Sequence, residues 1–132
     1  MPDRQQLLAL YEDYLDACNA HDFTRMMTFY APDMRVNDAP MAHSAVVAQF
    51  EPIVAAFPDW HWDVKHIAID GDLISLHFTV TGTHQGTFEG RPATQRRVAA
   101  TEFTLYRVVD GKFADVWDLT DTEAVRSQLS TG

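Results

Sequence analysis

The stretch WHWDVKHIAIDGDLISLHFTVT, residues 60–81, decides the fold. Trp60, Trp62 and Val64 alternate with His61, Asp63 and Lys65, and after Asp70-Gly71 the residues Ile74, Leu76, Phe78 and Val80 alternate with Ser75, His77, Thr79 and Thr81. A period of two sends successive side chains to opposite faces of a strand, and Asp-Gly between two such runs marks a hairpin, so the segment predicts two antiparallel strands. Downstream, a loop with Gly86, Gly90 and Pro92 leads into a long strand from about Arg96 to Val108, which Asp110-Gly111 turns into a last strand ending near Leu119. Upstream the period is helical. Leu7, Leu8, Tyr11, Tyr14, Leu15 and Cys18 share one helical stripe behind an Asp3/Gln6 capping box. Phe23, Met26, Met27 and Tyr30 form a short second helix closing before Pro32, and a third runs from Ser44 to about Phe57, bent or interrupted at Pro52. Helices followed by a meander predict an α+β domain, with three amino-terminal helices packed on one face of a curved antiparallel sheet and a short carboxy-terminal helix.

The composition narrows the function. A chain of 132 residues with 46% hydrophobic content reads as one domain, residues 1–132, large enough for a real core. Its formal charge of −9, from 19 acidic against 10 basic residues, repels a phosphate backbone and an anionic membrane alike, which argues against nucleic acid and lipid as partners. No apolar run reaches the roughly 18 residues of a membrane span, and MPDRQQLLALYEDY lacks a secretory layout, so a cytoplasmic location is expected. The lone Cys18 reads as a buried packing residue, and Met26 and Met27 as core filler. His21, His43, His61, His66, His77 and His84 show no metal-ligand spacing and read as surface or hydrogen-bonded side chains. With no G-x-S-x-G elbow and no dinucleotide fingerprint either, neither a metal nor a cofactor is expected. Trp60 and Trp62 read as core that can also wall an aromatic pocket, and Arg96-Arg97 as a solvated or interface pair.

The last strand poses the functional question, because ADVWDLTD, residues 114–121, carries three aspartates among apolar neighbours. A carboxylate there must be paired, hydrogen-bonded or protonated. Thr120 and Glu123 fit a capping box opening the final helix, which puts Asp121 in its first turn, where the helix dipole favours negative charge. Asp115 lies near the turn and reads as solvated or ion-paired. Asp118 has neither explanation and shares its strand face with Val116 and Thr120, so it is the candidate base. If Val109-Asp110-Gly111 is a three-residue loop with a glycine bulge, Glu102 lies directly opposite Asp118 and the two carboxyls can share a proton. If the loop has two residues, Phe103 takes that place and Glu102 points to the other face.

The runs GTHQGTFEGRPATQRR, residues 82–97, and RVVDGKFADVW, residues 107–117, resemble those of the SnoaL-like polyketide cyclases of the nuclear transport factor 2-like superfamily, and the likeness extends over nearly the whole chain. The resemblance implies a cone-shaped α+β barrel and a homodimer. It implies a catalytic aspartate in the last strand, which falls at Asp118 without a gap, and a pocket-lining polar residue after the second helix, which falls at Asn37. Where the cyclases carry a histidine on the preceding strand this chain has Thr104, with Glu102 at the neighbouring cavity position. The expected activity is cofactor-independent removal of a proton next to a carbonyl, leading to intramolecular aldol cyclisation or isomerisation of a small apolar or aromatic carbonyl compound. Asp118 is the base, Glu102 or Thr104 the donor to the enolate, and Thr104, Val116, Asn37 and Trp62 the substrate contacts. A non-catalytic binding protein of the same fold, or a related lyase, isomerase or oxygenase, is the alternative.

Overall fold

A computed structural model describes residues 2–130. Helix α1 (Arg4–Asn19) starts at the expected capping box: the Asp3 carboxylate accepts from Gln6 N at 2.8 Å and the Gln6 side chain accepts from Asp3 N at 2.9 Å. Its apolar stripe buries Leu7, Tyr11, Tyr14, Ala17 and Cys18. Helix α2 (Phe23–Met27) is capped by Asp22 and buries Met26. Strands β1 (Tyr30–Val36) and β2 (Ala39–Pro40), helices α3 (His43–Ala48) and α4 (Glu51–Ala56), strands β3 (His61–Asp70), β4 (Leu73–Thr83), β5 (Arg97–Val109) and β6 (Lys112–Thr120), and helix α5 (Thr122–Ser130) complete the chain.

The six strands form one sheet in the order β2-β1-β6-β5-β4-β3. Along β4 the expected alternation holds: Ile74, Leu76, Phe78 and Val80 are each at most 1% exposed and face the helices. With Phe57 and Phe113 they supply much of the core, each buried side chain of this size being worth about 1.5–3 kcal/mol. Gly86 shows how closely α4 seats: a Cβ there would lie 2.4 Å from the Ala55 carbonyl oxygen.

Several local expectations need correction. Tyr30 does not close a helix but opens β1, which runs parallel to β6, so the sheet is mixed rather than wholly antiparallel. Pro32 and Asp33 lie exposed where the β1–β6 register shifts, and a proline without an amide donor in mid-segment hides the strand from a periodicity test. The third helix divides at Gln49-Phe50 into α3 and α4, with Pro52 in the first turn of α4 where its missing N–H costs nothing. Residue 121, not Thr120, caps α5: Ala124 N donates to the Asp121 carboxylate at 3.0 Å. His84 is fully buried with Nδ1 bonded to Thr94, yet its Nε2 has no partner among the described residues. Arg97 is solvated as expected, 3.9 Å from the Asp59 carboxylate, while Arg96 donates to the Gln128 carbonyl.

The β5–β6 hairpin carries the most consequential correction. Val109 pairs with Lys112 across a two-residue turn in which Asp110 and Gly111 both have positive φ, 52° and 74°, so the three-residue loop is not formed. Alone, that register would turn Glu102 away from Asp118. Between the Val108/Phe113 and Arg107/Asp115 pairs, however, Ala114 is an extra residue in β6, a bulge that restores the parity. Asp118 is therefore opposite Thr104, Glu102 is opposite Thr120, and Glu102, Thr104, Val116 and Asp118 all face inward.

Candidate active site

The inward face of β5 and β6 meets α1 and the α3–α4 joint around a partly enclosed chamber of about 40 Å³, lined by tyrosines from α1, β1 and β5 and by Trp62, Glu102, Thr104, Val116 and Asp118. It adjoins a mouth of about 190 Å³ walled by Phe50, Ile53, Trp60, Trp62 and Thr122. Glu102, Asp118, Gln49, Phe50 and Trp62 line both spaces. Phe50 meets the Trp62 ring edge to face, with centroids 5.8 Å apart.

The two carboxyls occupy different surroundings. Glu102 is half-buried; the Trp62 indole N–H donates to Oε1 at 3.3 Å and the Thr104 hydroxyl to Oε2 at 3.1 Å. Burial lifts its carboxyl above the ordinary range, the nearby Asp118 charge adds to the rise, and the donors Thr120, Thr104 and Trp62 offset only part of it. Asp118, expected among apolar neighbours, is exposed at the rim. Asn37 holds it at two points, donating from Nδ2 to Oδ1 at 3.2 Å and accepting from Asp118 N at 3.2 Å. Asn37 can do this because it sits with φ 51° in the turn between β1 and β2 and its own N–H donates to the Val116 carbonyl. Asn37 thus touches Asp118 rather than the chamber.

The remaining aspartates are accounted for otherwise. Asp115 projects from the outer face of β6 and is 1% exposed between Arg35 and Arg107, whose nitrogens approach it at 2.9 and 2.6 Å. Burial pushes its carboxyl up, but the two guanidinium groups outweigh that and hold it below the ordinary range. Of the two readings of Asp115, the ion pair applies and solvation does not.

Sequence patterning did not single out the chamber floor. Tyr11, Tyr14, Tyr30 and Tyr106 all sit at apolar positions, and burial raises each hydroxyl above its ordinary pKa and pushes the Cys18 thiol up to about 12. The available signal was four phenols on core faces, since a buried tyrosine hydroxyl needs a partner. Among the described residues no three His, Cys, Asp or Glu side chains are grouped to hold a metal ion, and no helix is long and apolar enough to cross a membrane.

A helix-backed mixed sheet enclosing a chamber with a carboxyl pair at its entrance defines a small α+β cone. This chain belongs to the SnoaL-like polyketide cyclase family, whose sequence profile matches residues 8–129. It is 34% identical over 59 residues to the nogalonic acid methyl ester cyclase of Streptomyces nogalater; that alignment takes in 45% of this chain and 44% of the cyclase, less than half its length. Among solved structures it is similar to the proposed hydroxylase AclR of Streptomyces galilaeus, with 30% identity, a TM-score of 0.87, and 96% and 97% of the two chains covered. The fold also matches IdmH, a proposed polyketide cyclase of Streptomyces antibioticus, at 24% identity and a TM-score of 0.84, with 93% and 97% covered.

Proposed function

We propose that this protein is a cofactor-independent, cyclase-like enzyme that abstracts a proton next to a carbonyl of a small apolar or aromatic substrate. The observation that carries the reading is one cavity wall bearing two carboxyls in unlike surroundings: exposed, oriented Asp118, and half-buried Glu102 with a raised pKa. Such a division separates a base from an acid. The Asp118 carboxylate takes the α-proton; the C–H electrons form the enolate double bond and the carbonyl electrons move to oxygen, which receives the Glu102 proton. The enol carbon then bonds to a second carbonyl carbon of the same molecule. As the first carbonyl re-forms, its proton returns to Glu102, and the new alkoxide takes the proton held by Asp118. Nothing is oxidised or reduced. Thr104 fixes the Glu102 carboxyl, Asn37 orients Asp118, and Trp62 and Val116 supply apolar walls. Neither Lys nor Arg lines chamber or mouth, which suits an uncharged carbonyl compound.

A chamber of about 40 Å³ is far below the roughly 300 Å³ or more of a typical ligand site, so the substrate also occupies the adjoining mouth of about 190 Å³. On the outer face, Phe103 and Leu119 are 55% and 74% exposed, and a second copy of the chain covers them in a homodimer.

The test is deuterium exchange of the methyl protons of acetophenone in D₂O, followed by proton NMR, with aromatic β-keto esters screened in parallel for cyclisation. The protein accelerates exchange over buffer, Asp118→Asn lowers that acceleration by roughly 10²–10⁴-fold, and Asp121→Asn leaves it intact. Parent activity in Asp118→Asn with loss in Asp121→Asn assigns the base to the wrong residue. Binding without exchange in any form replaces catalysis with simple ligand carriage. The likeness to AclR favours a second reading, oxygenation of the same enolate, which dioxygen uptake during turnover would reveal.

A further inference from the structure

Beneath Glu102 the chamber is lined by Tyr11, Tyr14, Tyr30 and Tyr106, which are 3%, 4%, 3% and 7% exposed. The reaction sequence above uses none of them. The hydroxyl oxygens of Tyr14 and Tyr30 lie 2.8 Å apart. Each hydroxyl owns one hydrogen, and a bond between two hydroxyls consumes only one of the pair's two. The Tyr11 and Tyr106 rings, with centroids 5.4 Å apart, add two further hydroxyls to the same floor, each with one hydrogen. Acceptors for the surplus are scarce. Cys18 faces Tyr14, but a thiol sulfur accepts weakly, and Glu102 already accepts from Thr104 and Trp62. Burial keeps all four phenols protonated, so the hydrogens remain available. The Tyr14–Tyr30 pair thus leaves at least one hydroxyl hydrogen unspent at the floor of the chamber.

Size adds an independent restriction. The chamber's free volume of about 40 Å³ is well below the about 190 Å³ of the mouth, so the narrower space suits a small group such as a carbonyl and the mouth suits the ring. We infer that the chamber is a receptor for one acceptor oxygen of the ligand, a ketone or quinone carbonyl, which enters tip first while its ring stays in the mouth against Phe50 and Trp62. This rests on the carbonyl chemistry proposed above and adds the tyrosine hydroxyls to Glu102 as donors to the enolate oxygen.

The experiment compares dissociation constants of acetophenone and the near-isosteric ethylbenzene by saturation-transfer NMR, in the parent, Tyr14→Phe, Tyr30→Phe and the double variant. The preference for the ketone falls about five- to tenfold in the double variant, the value of one well-made hydrogen bond. Each single variant keeps most of the preference, because the remaining hydroxyl still owns an unspent hydrogen. An unchanged preference in the double variant, and likewise in Tyr11→Phe combined with Tyr106→Phe, overturns the inference. Should a double variant fail to fold, acetophenone labelled with ¹³C at the carbonyl decides on the parent protein: a downfield shift on binding supports hydrogen-bond donation and an unshifted signal refutes it. Asp121→Asn, outside the cavity, keeps the ketone preference; Asp118→Asn is assayed for exchange alone. If Asp118→Asn exchanges at the parent rate, the proton-abstraction reading falls while the receptor stands.

Discussion

Replacing Asn37 by glycine separates the orientation of Asp118 from the stability of the turn that carries it. Asn37 makes two side-chain bonds to Asp118, both 3.2 Å long and both exposed, and its backbone is left-handed at φ 51°. Loss of the two bonds costs about 1–2 kcal/mol, taking about 0.5–1 kcal/mol for each exposed bond. A non-glycine residue in the left-handed region carries about 1 kcal/mol of strain, which glycine relieves, and the Asn37 N–H bond to the Val116 carbonyl survives the change. The expected net destabilisation is therefore only about 0–1 kcal/mol. The carboxylate, however, loses its anchor, and a catalytic group displaced by about 1 Å costs up to roughly 10²-fold in rate. Thermal melts and the exchange assay on Asn37→Gly together test this: a near-parent melting temperature with a rate lowered by about 10–10²-fold is expected. A full rate would show that Asp118 needs no such anchor. A loss above about 3 kcal/mol would show that the side chain holds the turn rather than the base.

Asp115→Asn should destabilise by roughly 1–3 kcal/mol, toward the low end because Arg35 and Arg107 are 47% and 37% exposed and can rehydrate. Since the Asp115 pKa is lowered by folding, its contribution is present above the unfolded value of about 3.9 and is lost as pH falls through the folded one, so parent and variant melting temperatures should converge in acid. Glu102 has the opposite sign: its raised pKa favours the fold fully below about 4.3, and that advantage is lost as pH rises through the folded value. Glu102→Gln should therefore match the parent in acid melts, exceed it near neutrality, and lose the alkaline limb of the rate profile that Glu102 ionisation produces. For the assembly, light scattering should give twice 14.9 kDa for the parent and 14.9 kDa for Phe103→Asp; a parent of 14.9 kDa at micromolar concentration would refute the dimer.

Where side chains alternate, the fold was legible from residues alone. Strands β3 and β4 and the buried stripe of α1 needed only periodicity and an Asp3/Gln6 cap, because burial of one face is itself the cause of the pattern. Strand β1 was not legible. Its Pro32-Asp33 pair faces solvent at a register shift, and its stability comes from parallel pairing with β6, a partner far along the chain that leaves no local mark. The chamber floor was hidden for a different reason: Tyr11 and Tyr14 satisfy an apolar helical stripe as well as leucines do, and only their spatial convergence with Tyr30 and Tyr106 reveals the excess of hydroxyl hydrogens.

The hairpin shows why register cannot be counted from a turn alone. Two residues at Asp110-Gly111 would send Glu102 and Asp118 to opposite faces, and the single extra residue at Ala114 brings them back to one. The same bulge sorts the aspartates. Immediately beyond it Asp115 falls on the outer face, within reach of Arg107 on β5 and Arg35 on β1; three residues further on Asp118 falls inside, opposite Thr104. Without the bulge the parities exchange, placing Asp115 toward the core and Asp118 among solvent-facing side chains. Asp121, beyond the strand, is indifferent to that parity because it caps α5 through its own carboxylate. A one-residue irregularity thus determines which carboxylate is neutralised by arginines and which stands at the cavity entrance, and it ties the geometry of the proposed base to the ion pair on the opposite face of the sheet.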